Sequence, residues 1–159
     1  MTTVPLDELP EFVRNVRAML KLSPHKDSAV IVALRGELGS GKTTFVQALA
    51  RDMGIGEALV SPTYVLMKKY AVPEGRLLSG ALRRFKTLVH IDAYRLEKPE
   101  EFAALRSQEF LSDPGALVLV EWPEKAAGFL PEPDMTLNFS SEGLPDSARD
   151  IEIQSMEAQ

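Results

Sequence analysis

The sequence contains no cysteine among its 159 residues, which excludes disulfide bonds and thiolate metal sites. No apolar run approaches membrane-spanning length. The first residues lack the basic region and apolar run of a signal peptide, so we expect a cytoplasmic protein with no membrane contact. The formal net charge of −5 argues against a protein that coats nucleic acid without selectivity. The length predicts a single domain that spans residues 1–159.

One segment carries a motif with a defined chemistry: residues 36–43 fit the pattern G-x-x-x-x-G-K-[ST]. An unbroken apolar segment, typical of a buried strand, precedes it, and apolar residues at helical spacing follow it. Glycines let successive backbone N–H groups point at phosphate oxygens, and a helix N-terminus adds its positive dipole end. The motif predicts that Lys42 reaches the β- and γ-phosphates of a nucleotide and that the Thr43 hydroxyl binds Mg²⁺. The residues expected to contact the nucleotide here are Glu37, Leu38, Gly39, Ser40, Gly41, Lys42, Thr43 and Thr44.

Two further apolar segments each end in an acid, at Asp92 and at Glu121. Ligands collect at the carboxyl ends of strands in α/β sheets, and a buried strand that ends in an acid is the Walker-B arrangement beside Mg²⁺. The alternative is that one of the two acids caps a helix or forms an ion pair. We predict that both serve catalysis together with Lys42, one at the metal and one at the attacking water, in an order that the sequence does not rank. Trp122 follows Glu121 directly, and we expect it near the nucleotide rather than only in the core.

The periodicities along the chain predict an α/β fold. An amphipathic helix is expected over residues 7–22 and a short one from Pro99 to about Leu105. Alternating residues over 135–139 and 151–153 predict two antiparallel edge strands. The whole is predicted to be a P-loop NTPase-like three-layer sandwich, with a mostly parallel sheet and antiparallel edge strands.

Two features leave alternatives open. Thr63 lies in a turn, where its hydroxyl either faces the γ-phosphate or forms the turn itself. The connection before the first acid-ended segment is basic, with Arg76, Arg83, Arg84 and Lys86, and it is either a solvated loop or a contact surface for RNA or an acidic partner. An alternative function is therefore a small-molecule or nucleoside kinase with a basic lid at 76–86. A relative of the small GTPases is disfavoured, because the sequence has no N-K-x-D and no D-x-x-G motif.

Four motifs, GELGSGKTT, SPTY, HIDAYRL and LVEWPEK in this order, resemble the TsaE (YjeE) family of small bacterial P-loop ATPases. The resemblance implies slow ATP hydrolysis with Mg²⁺ in the formation of threonylcarbamoyladenosine at position 37 of tRNA. It also implies joint action with TsaB and TsaD, and contact with tRNA, direct or indirect. By resemblance, Thr43 and Glu121 bind Mg²⁺, and Asp92 lies close to the γ-phosphate or its water. Thr63 then falls in a switch-like segment, and Arg149 touches the nucleotide.

Overall fold

A mixed sheet of seven strands organises the described part of the chain, which in this computed structural model comprises residues 1–20, 27–56, 62, 65–74 and 85–155. The strand order is β1-β7-β6-β2-β5-β4-β3. The strands are β1 (Thr2–Pro5), β2 (Val30–Arg35), β3 (Met67–Ala71), β4 (Thr87–Asp92), β5 (Ala116–Glu121), β6 (Met135–Ser140) and β7 (Ala148–Ser155). Neighbours among β6, β2, β5 and β4 are parallel, whereas β1, β7 and β3 join the sheet by antiparallel pairing.

Helices cover both faces of this sheet. The first two, α1 (Leu9–Leu20) and α2 (Lys42–Asp52), share one buried apolar cluster with alternate residues of the central strands. The short helices α3 (Glu100–Ala104) and α4 (Ser107–Leu111) contribute to the cluster on the other face. Strand β5 is buried at all six positions, which explains why it reads as a continuous apolar run. The predicted α/β class, with three layers and antiparallel outer strands, is confirmed.

The structure differs from the sequence prediction in three places. Strand β1 was not predicted; it pairs with β7 near the other end of the chain. The two tail strands do pair antiparallel, but neither is an edge strand, because β6 also pairs with β2 and β7 also pairs with β1. The short helix expected from Pro99 to about Leu105 is present as α3, but a second helix that was not predicted, α4, follows it after Arg106, which adopts a left-handed conformation with φ of 53°. Within the ranges that the structure describes, no helix is long and apolar enough to cross a membrane.

Parallel order brings the functional candidates to one edge of the sheet. Strands β2, β4 and β5 run in the same direction, and their carboxyl ends therefore meet. The loop after β2 leads into α2 there, and Asp92 pairs in register with Glu121 where β4 and β5 end. Side chains alternate along a strand, so both acids point to the face that α2 covers, as Leu88 and Leu119 do.

Candidate nucleotide-binding site

The loop between β2 and α2 is curled by three glycines with positive φ. The angles are 140° at Gly36, 79° at Gly39 and 100° at Gly41. Gly41 is the N-cap of α2, so the helix begins at Lys42 with its first N–H groups facing the loop. At Gly36 a side chain is excluded by space as well, because a Cβ atom would lie 2.3 Å from the carbonyl oxygen of Phe139. The backbone path of the loop therefore depends on glycine.

Lys42 extends back from the first turn of α2 into the concave side of this loop. Its Nζ donates hydrogen bonds of 2.7 Å to the backbone carbonyls of Gly36 and Glu37, and it lies 3.3 Å from the Ser40 hydroxyl. The same atom lies 4.4 Å from the centre of the Trp122 ring, within cation–π distance. Burial lowers the pKa of Lys42, and the nearby Glu121 carboxylate opposes that shift. The ammonium is thus held in a mostly dehydrated place, where an anion would gain strongly from it.

Glu121 is the acid that contacts the loop helix directly. The Thr43 hydroxyl lies 2.9 Å and 3.0 Å from the two carboxylate oxygens of Glu121, to which it donates. On the adjacent strand, an Asp92 oxygen accepts a 3.1 Å hydrogen bond from the backbone N–H of Tyr94. Both acids are almost fully buried. Strand register, rather than the loop itself, therefore sets the spacing of the two carboxylates at the mouth of the loop.

His90 is a member of this site that sequence reasoning missed. Its Nε2 lies 2.8 Å from Oε1 of Glu121, and the side chain is completely buried. The available signal was the alternation within HIDAYRL, which places His90 on the same face as Asp92, two residues further along the strand. An isolated histidine in an apolar strand gives no reason by itself to expect this contact.

The ends of β6 and β7 hold the other side of the loop. The Glu37 carboxylate accepts hydrogen bonds of 2.7 Å from the Ser141 N–H and 2.9 Å from its hydroxyl, and the bond from the backbone N–H is the main reason why the pKa of Glu37 is lowered. Arg149 on β7 lies beside Gly41, and its Nη2 donates a long hydrogen bond of 3.5 Å to the Gly39 carbonyl. The loop is therefore fixed to β6 and β7 as well as to β5.

A cavity of about 380 Å³ opens between these groups. It is lined by Leu6, Leu38, Gly39, Gly41, Lys42, Thr43, Thr44, Asp92, Tyr94, Glu121, Trp122 and Arg149. Most residues predicted from the sequence thus surround one space, together with Leu6 and Tyr94, which were not predicted. Glu37 and Ser40 belong to the loop but do not line the cavity. Thr63 and residues 76–84 of the predicted basic lid lie outside the described residues.

The donor groups at this cavity suit a magnesium–phosphate complex. Mg²⁺ prefers oxygen ligands and is usually held by one or two carboxylates together with substrate phosphates. The oxygen atoms of Thr43, Glu121 and Asp92 are of this kind. Over the described ranges, no cluster of three or more histidine or acidic side chains forms a complete protein cage for a metal. The oxygen donors of Thr43, Glu121 and Asp92 are compatible with Mg²⁺ that is bound together with a phosphate ligand.

A P-loop NTPase-like fold is defined by three features together. They are the buried strand β2, the glycine loop whose carbonyls contact Lys42, and the adjacent strands β5 and β4, which each end in an acid. The solved structure titled "Crystal structure of Bacillus subtilus YdiB" is similar, with a TM-score of 0.53 and 25% identity over 93% of this chain and 81% of that one.

The family model described as "Threonylcarbamoyl adenosine biosynthesis protein TsaE" matches residues 7–151, and the chain therefore belongs to the TsaE family. Two proteins named tRNA threonylcarbamoyladenosine biosynthesis protein TsaE illustrate the similarity. The one from Haemophilus influenzae is 34% identical over 136 residues, which cover 86% of this chain and 77% of the relative. The one from Treponema pallidum is 40% identical over 123 residues, which cover 77% of this chain and 80% of the relative. The sequence-based assignment to this family is confirmed.

Proposed function

We propose that this chain is the ATP-binding and ATP-hydrolysing component of the machinery that forms N6-threonylcarbamoyladenosine at position 37 of tRNA. In this proposal it acts with TsaB and TsaD homologues. Membership in the TsaE family carries the assignment to the pathway. The contact of the Thr43 hydroxyl with both oxygens of Glu121, beside the Lys42 ammonium, is the observation that carries ATP chemistry.

The loop residues would bind the phosphates. The glycine conformations and the start of α2 leave backbone N–H groups available to phosphate oxygens, and Lys42 would exchange its carbonyl contacts for the β- and γ-phosphates. Arg149, which lies beside Gly41, would contact the nucleotide from β7. For Thr63, contact with the γ-phosphate stays an expectation from sequence.

Thr43, Glu121 and Asp92 would hold Mg²⁺ and the attacking water. When bound, Mg²⁺ supplies positive charge at the terminal phosphates. Because both Glu121 oxygens already accept from Thr43, we assign Glu121 to the metal side. Asp92 lines the same cavity one strand away, and we assign it to orienting or deprotonating the water. Catalysis would then consist of positioning and charge neutralisation, with no covalent enzyme intermediate.

Reconstitution tests the proposal. The chain is combined with TsaB and TsaD homologues, tRNA and ATP, and modified nucleoside is measured by mass spectrometry. We expect repeated turnover only when the chain is present. The matched control is Thr43→Val, which keeps the branched shape but removes the hydroxyl, and it should abolish the stimulation. Full modification without the chain, or with Thr43→Val, would contradict the proposal.

Capture experiments test the partnership separately. The tagged chain is incubated with TsaB and TsaD homologues, with and without Mg·ATP, and the bound fraction is analysed. We expect both partners to be retained in a nucleotide-dependent way. Binding of tRNA is measured in the same format, with and without the two partners, to separate direct from indirect contact. Absence of both partners under all conditions would contradict the partnership.

A further inference from the structure

His90 occupies a position from which it can act on the site only through Glu121. It lies in β4 with no exposed surface, and its one described contact with a charged group is the 2.8 Å contact between Nε2 and Glu121 Oε1. Because a carboxylate only accepts hydrogen bonds, the proton in this contact belongs to His90 Nε2. His90 Nδ1 is buried and has no hydrogen-bond partner among the described residues. The bond to Glu121 is therefore the one hydrogen bond that the described residues give to the imidazole.

The orientation of Glu121 is set by the groups that donate to it. Among the described residues, two groups donate to its carboxylate: the Thr43 hydroxyl, which reaches both oxygens, and His90, which reaches Oε1 alone. The hydroxyl can rotate and is itself assigned to the metal, so it does not fix which oxygen faces the loop. The histidine is held by the strand and by close packing, and it distinguishes one oxygen from the other.

We propose that His90 is a positioning residue, which holds the Glu121 carboxylate in the orientation required for the metal–nucleotide complex. This inference rests on the proposed function, because it assigns Glu121 to the metal side. His90 makes no contact with metal or nucleotide in this account. Its contribution is pre-organisation. A hydrogen bond from a fixed donor to one oxygen keeps the buried carboxylate from rotating, so the other oxygen is already directed at the metal position before the metal binds.

A purely structural histidine would predict a different ranking of variants. If His90 only fills the core, His90→Leu should be the better replacement, since leucine is apolar and of suitable size, whereas His90→Gln buries an amide. If His90 positions Glu121, His90→Gln should be better, because the glutamine Nε2–H₂ lies the same number of bonds from the backbone as the histidine Nε2–H. The two accounts therefore give opposite orders.

The measurement is the affinity of the full chain for adenylyl imidodiphosphate, a non-hydrolysable ATP analogue, in excess Mg²⁺ and in EDTA. The dissociation constant in EDTA divided by the dissociation constant in excess Mg²⁺ is the ratio that reports the coupling between metal and nucleotide, without any turnover. We expect His90→Leu to reduce this ratio by about tenfold, the lower end of the usual cost of losing an outer partner of a metal ligand. Its affinity in EDTA should stay close to that of the parent, and His90→Gln should retain most of the parental ratio.

Leu88→Ala is the matched control, because Leu88 lies on the same strand and face as His90 but pairs with Leu117, four residues before Glu121. All variants are compared at a temperature at which their circular dichroism shows them folded. A parental ratio in His90→Leu, an equal loss in Leu88→Ala, or a lower ratio in His90→Gln than in His90→Leu would each overturn the role of His90. A parent chain that binds the analogue in neither condition, or equally in both, would instead contradict the proposed function itself.

Discussion

Gly36 is the position in the loop between β2 and α2 where a single methyl group should have the largest effect on folding. Its φ of 140° is a conformation that L-residues rarely adopt, and holding one there costs about 1–3 kcal/mol. The added Cβ would also lie 2.3 Å from the Phe139 carbonyl oxygen and 2.8 Å from Ser40 Oγ. The carbonyl belongs to β6, which is paired on both sides, so it cannot move away without disturbing the sheet.

We expect Gly36→Ala to lower the free energy of unfolding by about 2–6 kcal/mol, since the strain adds to an overpacking cost of about 1–3 kcal/mol. That is a large part of the roughly 5–15 kcal/mol typical of a folded domain. The assay is urea denaturation followed by circular dichroism. Gly39→Ala is the matched control: its φ is also positive, at 79°, but nothing lies within 4 Å of the added Cβ.

Gly39→Ala should therefore cost only the left-handed strain, about 1–2 kcal/mol, and remain folded. Because Gly39 lines the cavity, its new methyl group would occupy space needed by phosphate, and nucleotide affinity should fall although the fold is kept. Equal destabilisation by the two substitutions would refute the reasoning, because the close approach to Phe139 would then have no energetic consequence.

Four further predictions concern single side chains of the site. Lys42→Ala should raise the Kd for Mg·ATP by about 10²–10⁴-fold in calorimetry, because two charge-assisted hydrogen bonds are lost, and parental affinity would contradict the site. Glu121→Ala should weaken the Mg²⁺ dependence of binding, whereas Asp92→Ala should slow hydrolysis more than binding; parental turnover in both variants would exclude these roles. Because the pKa of Glu37 is lowered from its ordinary value of 4.5, its charged form stabilises the fold above that pH. At pH 7 the parent should be more stable than Glu37→Gln, and in urea denaturation this difference should shrink as the pH falls through 4.5 and below it. The fluorescence of Trp122, the single tryptophan, should change saturably when Mg·ATP is added. Unchanged fluorescence in a sample that binds nucleotide would show that Trp122 lies away from the nucleotide.

The elements that the sequence predicted well are those specified by neighbouring residues. The loop, its strand and its helix are adjacent in the chain, and each carries its own signal in glycine spacing or apolar periodicity. Asp92 and Glu121 were found because each ends an apolar run, and because parallel strands bring such ends together. This general rule was enough to predict that the two acids lie at one cavity, without knowledge of any particular long-range contact.

Strand β1 shows why the remainder could not be predicted. It has four residues, of which Val4 alone is buried, so it gives almost no alternating pattern. Its pairing partner, β7, is separated from it by nearly the whole chain, and only the completed sheet provides the edge that it joins. The same reason explains why the tail strands were placed at an edge: the sequence indicates that a strand alternates, but not how many neighbours it has.

The contacts that hold the loop between β2 and α2 come from two different parts of the sheet. On one side, Glu37 is tied to Ser141, and Gly36 lies against Phe139, so the shape of the loop depends on the end of β6. On the other side, Thr43 is tied to Glu121 and through it to β4 and β5, so the residues that we propose for Mg²⁺ depend on a different pair of strands. Substitutions on the β6 side should therefore change nucleotide affinity with and without Mg²⁺ alike, because they alter the phosphate-binding backbone itself. Substitutions on the β5 side should change mainly the difference between the two conditions, because they leave that backbone intact.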